Sequence, residues 1–419
     1  MFGKKPGMLF LAAFGLLCGL LTIAAPGFAA SKEKVLYSFC AAQLCPDGES
    51  PMASLVFDAA GNLYGTADYG GNSNCIRGCG TVFELTLGGN GKWKQKVLHR
   101  FEDNGKDGYY PAAGLIFDAA GNLYGTTAEG GVYQAGTVFE LMPEKGGKWK
   151  EKILHNFGNS ADGSEPLGSV VLDAAGYLYG TTFYGGAYGD GTVFKLAQDK
   201  SGHWTENVLH NFDWNGEDGF SSRASVILDN SGNLYGTTVL GGTGGNGTVF
   251  EMTRGKNGSW AEKVLYSFTG GTDGSLANAG LVFDAAGSLY STTVAGGSNG
   301  IGNVFKLTRN AKGNWTLTTL YSFENADGAF PEGGVIFDAT GNLYGTTFYG
   351  GAYNDGTVFK LAPDKNDRWT EKVLHDFNAN GVDGYEPYGG LIMDAAGNLY
   401  GTTSMGGDYN SGTVCEITP

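Results

Sequence analysis

This sequence has few of the residues that carry catalysis. It contains five histidines in 419 residues, and no Ser-His-Asp, H-E-x-x-H or paired-His metal spacing appears. Basic residues are also scarce, with 27 Lys+Arg against 42 Asp+Glu and a formal net charge of −15. That balance argues against nucleic acid or anionic lipid as a partner, since both need a basic face. Long apolar runs are absent apart from Met8–Ala25, so no membrane span is expected in the mature chain.

The one apolar run has the anatomy of an export signal. Lys4 and Lys5 precede it and Gly27-Phe28-Ala29 supplies small residues at its end, which predicts a signal peptide over 1–29 cut near Ala29. The rival is an uncleaved anchor, because the run approaches spanning length. Lipidation is not expected, because Cys18 follows Leu17. Discounting the two lysines leaves a mature charge of −17 and a secreted or periplasmic chain. Of its cysteines, Cys40 and Cys45 lie close together, as do Cys75 and Cys79, and Cys415 is alone. Four cysteines allow three connectivities. The local pairs Cys40–Cys45 and Cys75–Cys79 are preferred to a zinc site, which would lack a nearby His. Cys415 is expected as a buried thiol.

Glycine is abundant at 73 residues, without the collagen period, and 22 Tyr and 25 Phe are too many for a disordered tract. The glycines mark a repeat. D-x-x-G-x-L-Y-[GS]-T occurs seven times, with its Asp at 58, 118, 173, 229, 284, 338 and 394, a mean period of 56 residues. Each unit holds four strand-like runs, in the second copy Gly114–Asp118, Asn122–Thr127, Gly136–Leu141 and Trp149–Phe157, separated by Gly, Asn and Asp turns.

The chain opens with Val35–Phe39, which matches a fourth strand, and closes with Gly412–Ile417, a third strand. A ring whose last blade is completed by the N-terminal strand explains both. The expected fold is all-β: one seven-bladed β-propeller of four-stranded blades over 30–419. An open solenoid would want polar caps, and the strands are too short and uneven for a membrane barrel.

The runs G-N-L-Y-G-T-T, G-G and G-T-V-F make the sequence similar, from Val35 to Ile417, to the Gloeo/Verruco (GloVer) tandem repeat of exported bacterial proteins. The resemblance implies export and no particular activity. Some members carry a C-terminal sorting signal, and this sequence ends at Pro419 without one. It departs from the pattern at Tyr177, Ser288, Ser291, Asn303 and Cys415.

His99, His155, His210 and His375 share a fourth-strand offset with Tyr37, Tyr266 and Tyr321, which marks a packing position with a polar tip. His203 falls in a turn. The seven Asp residues of D-x-x-G read as turn formers. Trp93, Trp149, Trp204, Trp260, Trp315 and Trp369 open fourth strands, whereas Trp214 lies off the template.

In a propeller the loops from strand two to three and the links between blades emerge on one face. Here those are the G-G loops, with Tyr69, Tyr133, Tyr184, Tyr188, Tyr349, Tyr353 and Tyr409, and the links, with Tyr109, Tyr110, Trp214, Phe220, Phe330 and Tyr385. Such a face stacks sugars or grips a peptide, or else the rings pack the loops on one another. Trp214, Tyr184, Tyr188, Tyr349, Tyr353, Tyr109 and Tyr385 are the candidate contacts. Asp376, Asn378, Asn380 and Asp383 alternate around Gly381 like a partial calcium loop, with turn chemistry as the alternative reading. Asn211–Asp218 and Glu102–Asp107 are related runs.

These features favour an exported, monomeric recognition module for a glycan or extracellular macromolecule, with no cofactor unless calcium binds. A hydrolase or lyase at the central mouth is the alternative by fold analogy alone, and a structural envelope role is the third. An enzyme needs unmatched polar residues converging at one mouth, and the sequence displays mainly repeated ones.

Overall fold

Each blade starts from a tight turn that the D-x-x-G run dictates. In the first, Asp58 Oδ1 accepts from the backbone N–H of Ala60 and of Asn62, at 2.8 and 2.9 Å. Gly61 takes the left-handed conformation, with φ of +85°, which costs glycine no Cβ clash. The same Asp Oδ1 grip recurs at Asp118, Asp173, Asp229, Asp284, Asp338 and Asp394. The turn folds back into a strand, Leu63–Ala67 in this blade, that is buried throughout because sheets flank it on both sides.

The computed structural model describes residues 31–71, 75–159 and 161–419; the expected signal peptide lies outside them. The chain forms seven four-stranded antiparallel sheets, the blades of a β-propeller. Blade 1 comprises Val56–Phe57, Leu63–Ala67, Thr81–Leu87 and Trp93–Arg100. The innermost strands have two residues each, shorter than the sequence pattern suggests. The chain just before them is taken up by small residues that pack at the ring's axis.

Closure is as the sequence implies. Lys32–Ser38 pairs antiparallel with Thr413–Thr418 and becomes the outer strand of blade 7, with Val35 opposite Cys415. Cys40–Cys45 and Cys75–Cys79 are disulfide-bonded, and Cys415 is a buried free thiol.

The apolar core is divided among the seams between blades. One seam packs Tyr64 and Val82 of blade 1 on Leu115, Leu123 and Phe139 of blade 2, with Trp149 at its edge. The closing seam does the same with Tyr400 and Val414 against Leu55, Leu63 and Phe83. Near the axis, a strand-two Thr donates to a backbone carbonyl of the next blade: Thr66 to Ala113, Thr126 to Gly168, Thr181 to Ala224, Thr237 to Ala279, Thr292 to Gly333, and Thr346 to Gly389. Thr402 to Ala53 completes the circle.

Candidate functional site

A backbone kink builds the loop face. Ser50, Tyr110, Glu165, Ser221, Leu276, Phe330 and Glu386 stand at one repeat offset, and all have φ between +53° and +59°. A non-glycine residue there is strained. Hydrogen bonds to two blades hold it: Tyr110 N–H donates to Cys79 O of blade 1, and Tyr110 O accepts from Ala128 N–H of blade 2. Beside the kink, each link also pairs with the next G-G loop. Gly108–Tyr109 with Glu129–Gly130, Gly219–Phe220 with Leu240–Gly241 and Gly384–Tyr385 with Met405–Gly406 form short ribbons. Single bridges replace them elsewhere. Links and G-G loops are thus one layer on one face.

That layer carries the expected aromatics. Trp214 is 73% exposed, Tyr188 62%, Tyr353 57%, Tyr184 47% and Tyr349 37%. Trp214 leans on Phe220 at 5.6 Å. Tyr184 packs edge-on against Phe183, and Tyr349 against Phe348, both at 4.5 Å. Blades 3 and 6 therefore present matching platforms. Tyr109 and Tyr385 are only partly exposed, and their hydroxyls donate to Gln134 Oε1 and Asn410 Oδ1, at 3.0 and 2.9 Å. Those two rings join the loops.

Two residues beyond each kink the chain reaches the axis with Met52, Ala112, Leu167, Arg223, Asn278, Glu332 or Tyr388. No two blades carry the same residue in this column. Ala112, Leu167, Arg223, Asn278, Glu332 and Tyr388 line a cavity of about 280 Å³ on the axis, to which all seven blades contribute. The variable column itself is apolar in blades 1 to 3 and polar in blades 4 to 7. Asn278 Nδ2 donates to Glu332 Oε2 at 2.7 Å. Arg223 rests against ring faces, its Cζ 6.0 Å from Phe183 and 5.9 Å from Tyr388, three blades away. Burial pushes the Glu332 carboxyl up, while the Asn278 amide and the Arg223 charge pull it partly back. Burial, then the Glu332 charge, pushes the Tyr388 phenol up to about 12; the Arg223 charge opposes this and the nearby Asp68 adds to it.

The repeat template does not reveal this group, because a template marks only the positions that stay constant. The signal was available: the residue after Pro51, Pro111, Pro166, Ser222, Ala277, Pro331 and Pro387 changes in every copy while a small Ala or Gly always follows.

The histidines sit at the seams instead. A β-bulge in each outer strand pair displaces one residue, Leu98 in blade 1, so that His99 falls opposite Val82 and Val97 opposite Phe83. His99, His155, His210 and His375 pair through Nε2 with Asp107, Asp162, Asp218 and Asp383, at 2.8 to 3.3 Å. Tyr37, Tyr266 and Tyr321 donate to Asp47, Asp273 and Asp327 at the same place. Three of these pairs meet a Glu of the next blade, giving Glu33/His375/Asp383, His99/Asp107/Glu151 and His210/Asp218/Glu262, each with ligand atoms within 4.8 Å of one another. The donor sets suit a metal ion. The equivalence of Tyr, however, ties the pair to joining blades.

Asp383 therefore meets His375 and Glu33, and its Oδ2 also accepts from Asn378 N–H. Asn380 Oδ1 accepts from Val382 and Asp383 N–H, and Asp376 Oδ1 from Ala352 N–H. Those oxygens act as turn and loop acceptors. Among the described residues, the His, Asp and Glu side chains close enough together to share one ion are those of the three seam trios.

The Gloeobacter/Verrucomicrobia repeat model matches residues 27–227 and 198–415. No curated protein matches the chain. Among solved structures, one of a Dyadobacter fermentans protein of unknown function is similar at 10% identity and a TM-score of 0.44, covering 93% of this chain and all of that one. A puromycin-hydrolyzing peptidase from Mycobacterium tuberculosis gives 11% and 0.47, over 88% of this chain and 53% of that one. A putative oxidoreductase (glucose dehydrogenase) from Thermus thermophilus gives 13% and 0.39, over 93% and 100%.

Proposed function

From a chain that belongs to the Gloeobacter/Verrucomicrobia repeat family and closes into a seven-bladed ring, we propose an exported binding module that holds a glycan against its loop face. One observation carries this reading. Among the described residues, twelve large apolar side chains are exposed, and all but Leu87 lie in the G-G loops and blade links; seven of them are aromatic. Apolar surface gathered on one face marks an interaction site. Aromatic rings rimmed by Asp and Asn suit the mixed apolar and hydroxylated faces of a sugar. The matching platforms of blades 3 and 6 offer two contacts to one extended chain. The two disulfides and the lack of a membrane-spanning helix among the described residues are consistent with an extracellular or periplasmic protein.

The test is a glycan array read with wild type and with a Trp214→Ala, Tyr184→Ala, Tyr349→Ala triple variant. Wild type should retain a subset of glycans, and the variant should lose them by about tenfold or more. Binding that survives the triple variant, or no binding by wild type, would overturn the reading.

A further inference from the structure

We propose that the mouth of the central channel is a second site, separate from the aromatic rim, which binds one uncharged sugar-sized polyol through Arg223, Asn278, Glu332 and Tyr388. Four features point there. The column differs in every copy of the repeat, and its four polar members come from four consecutive blades. They converge on one cavity. A strained kink conserved in geometry across all seven links sits two residues before each of them, so the backbone that delivers these side chains is firmly held. Their hydrogen bonding is also incomplete: Asn278 Oδ1 is buried and accepts from no described residue, and Arg223 is flanked by rings.

The ligand class follows from what these groups lack. Asn278 Oδ1 needs a donor, whereas the Arg223 guanidinium needs an acceptor. A hydroxyl is both. An anionic ligand would satisfy Arg223 but would face Glu332, and a cationic one would meet the reverse conflict. A neutral polyol suits both sides of the crescent. The Tyr388 ring, which lines the cavity, adds aromatic surface for its C–H edges. The cavity, at about 280 Å³, falls at the lower limit of ligand pockets, roughly 300 Å³, which restricts the occupant to about one ring. Small residues such as Ser54, Ser169 and Gly280 leave that space open toward the axis.

The experiment is isothermal titration of the folded chain with glucose, galactose, mannose and xylose, with glucuronate and glucosamine as charged comparators. At least one neutral sugar should bind with a stoichiometry of one. Arg223→Ala and Asn278→Ala should each weaken it about tenfold or more, while the rim triple variant should leave it unchanged. Both substitutions install the residue that Ala112 already supplies in blade 2, so folding should survive. If either variant fails to fold, Glu332→Gln decides, since it keeps the size and should weaken binding in the same direction. Tighter binding of a charged comparator, neutral binding indifferent to these variants, or no binding at all overturns the proposal. Loss of glycan-array binding alone bears on the rim and not on the mouth.

Discussion

Thr402 Oγ1 donates to the carbonyl oxygen of Ala53 at 2.9 Å, across 349 residues of chain. This bond is the seventh of a ring of equivalent Thr contacts, and it joins the last blade to the first at the axis. At the rim the same two blades are joined by Tyr37 and Asp47, whose side chains meet at 2.7 Å.

Closure should therefore be sensitive at both radii. Thr402→Val removes a buried donor and leaves the Ala53 carbonyl unpaired, at a cost of about 1–3 kcal/mol. Deleting residues 30–39 removes a whole strand and bares the edge Thr413–Thr418, and should abolish cooperative unfolding. Calorimetry on both variants checks this; an unaltered transition in the deletion would refute closure by the N-terminal strand.

Stability should fall as pH rises through neutrality. Burial raises Glu33, Glu206 and Glu262 to about 7, and Glu371 to about 8, from an ordinary 4.5. The folded state keeps these protons to higher pH than the unfolded chain does. Their contribution is thus fully present below about 4.5 and lost progressively up to about 8. Asp58, Asp338 and Asp394 act in the opposite sense. Burial would raise them, but the amides of Asn62, Asn342 and Asn398 and nearby backbone N–H groups hold them low, so stability is also lost below about pH 4. The melting temperature should peak near pH 5 and drop by on the order of a few degrees at pH 8. The Glu206→Gln, Glu262→Gln, Glu371→Gln variant should flatten the alkaline side, as Gln95 occupies the same place in the closing seam, donating to Asp47 O. A wild-type profile level from pH 5 to 8 would contradict the assignment.

The seam histidines should be replaceable by tyrosine. His210→Tyr keeps a donor to Asp218, as Tyr266 does for Asp273, whereas His210→Ala leaves Asp218 short of a partner and should cost about 1–3 kcal/mol. Thermal melts with and without added zinc separate the two roles. A strong zinc-dependent stabilisation that His210→Tyr removes would instead mark the His210/Asp218/Glu262 trio as a metal site.

Cys415 should be silent toward thiol reagents until the chain unfolds, because it is buried and burial pushes its thiol up. It stands where six other blades carry a buried Phe. Gly65 in blade 1 has the Phe83 ring at 2.7 Å from where a Cβ would lie, but the equivalent Gly401 has only Leu391 within 4 Å. Cys415→Phe should therefore fill that space and raise stability by about 1–2 kcal/mol. A lower melting temperature would show that the closing strand cannot accommodate the ring.

The sequence by itself determined the architecture of this protein. Seven D-x-x-G turns, strands apolar on both faces, and an outer strand stranded at the opposite end from its blade admit one closed arrangement, and local cysteine spacing selected the disulfides. These are short-range properties: a turn, a strand period and a five-residue loop are written in adjacent residues. What the tertiary structure alone decided lies at the seams and on the axis. His99 meets Glu151 only because two blades are pressed together and a bulge turns the ring toward the seam. Arg223 approaches Tyr388, 165 positions later, only because a closed ring brings every blade's inner end to one point. Periodicity shows where the copies agree, whereas the mouth is made from a column in which every copy differs, and the residues in that column become neighbours only after the ring has closed.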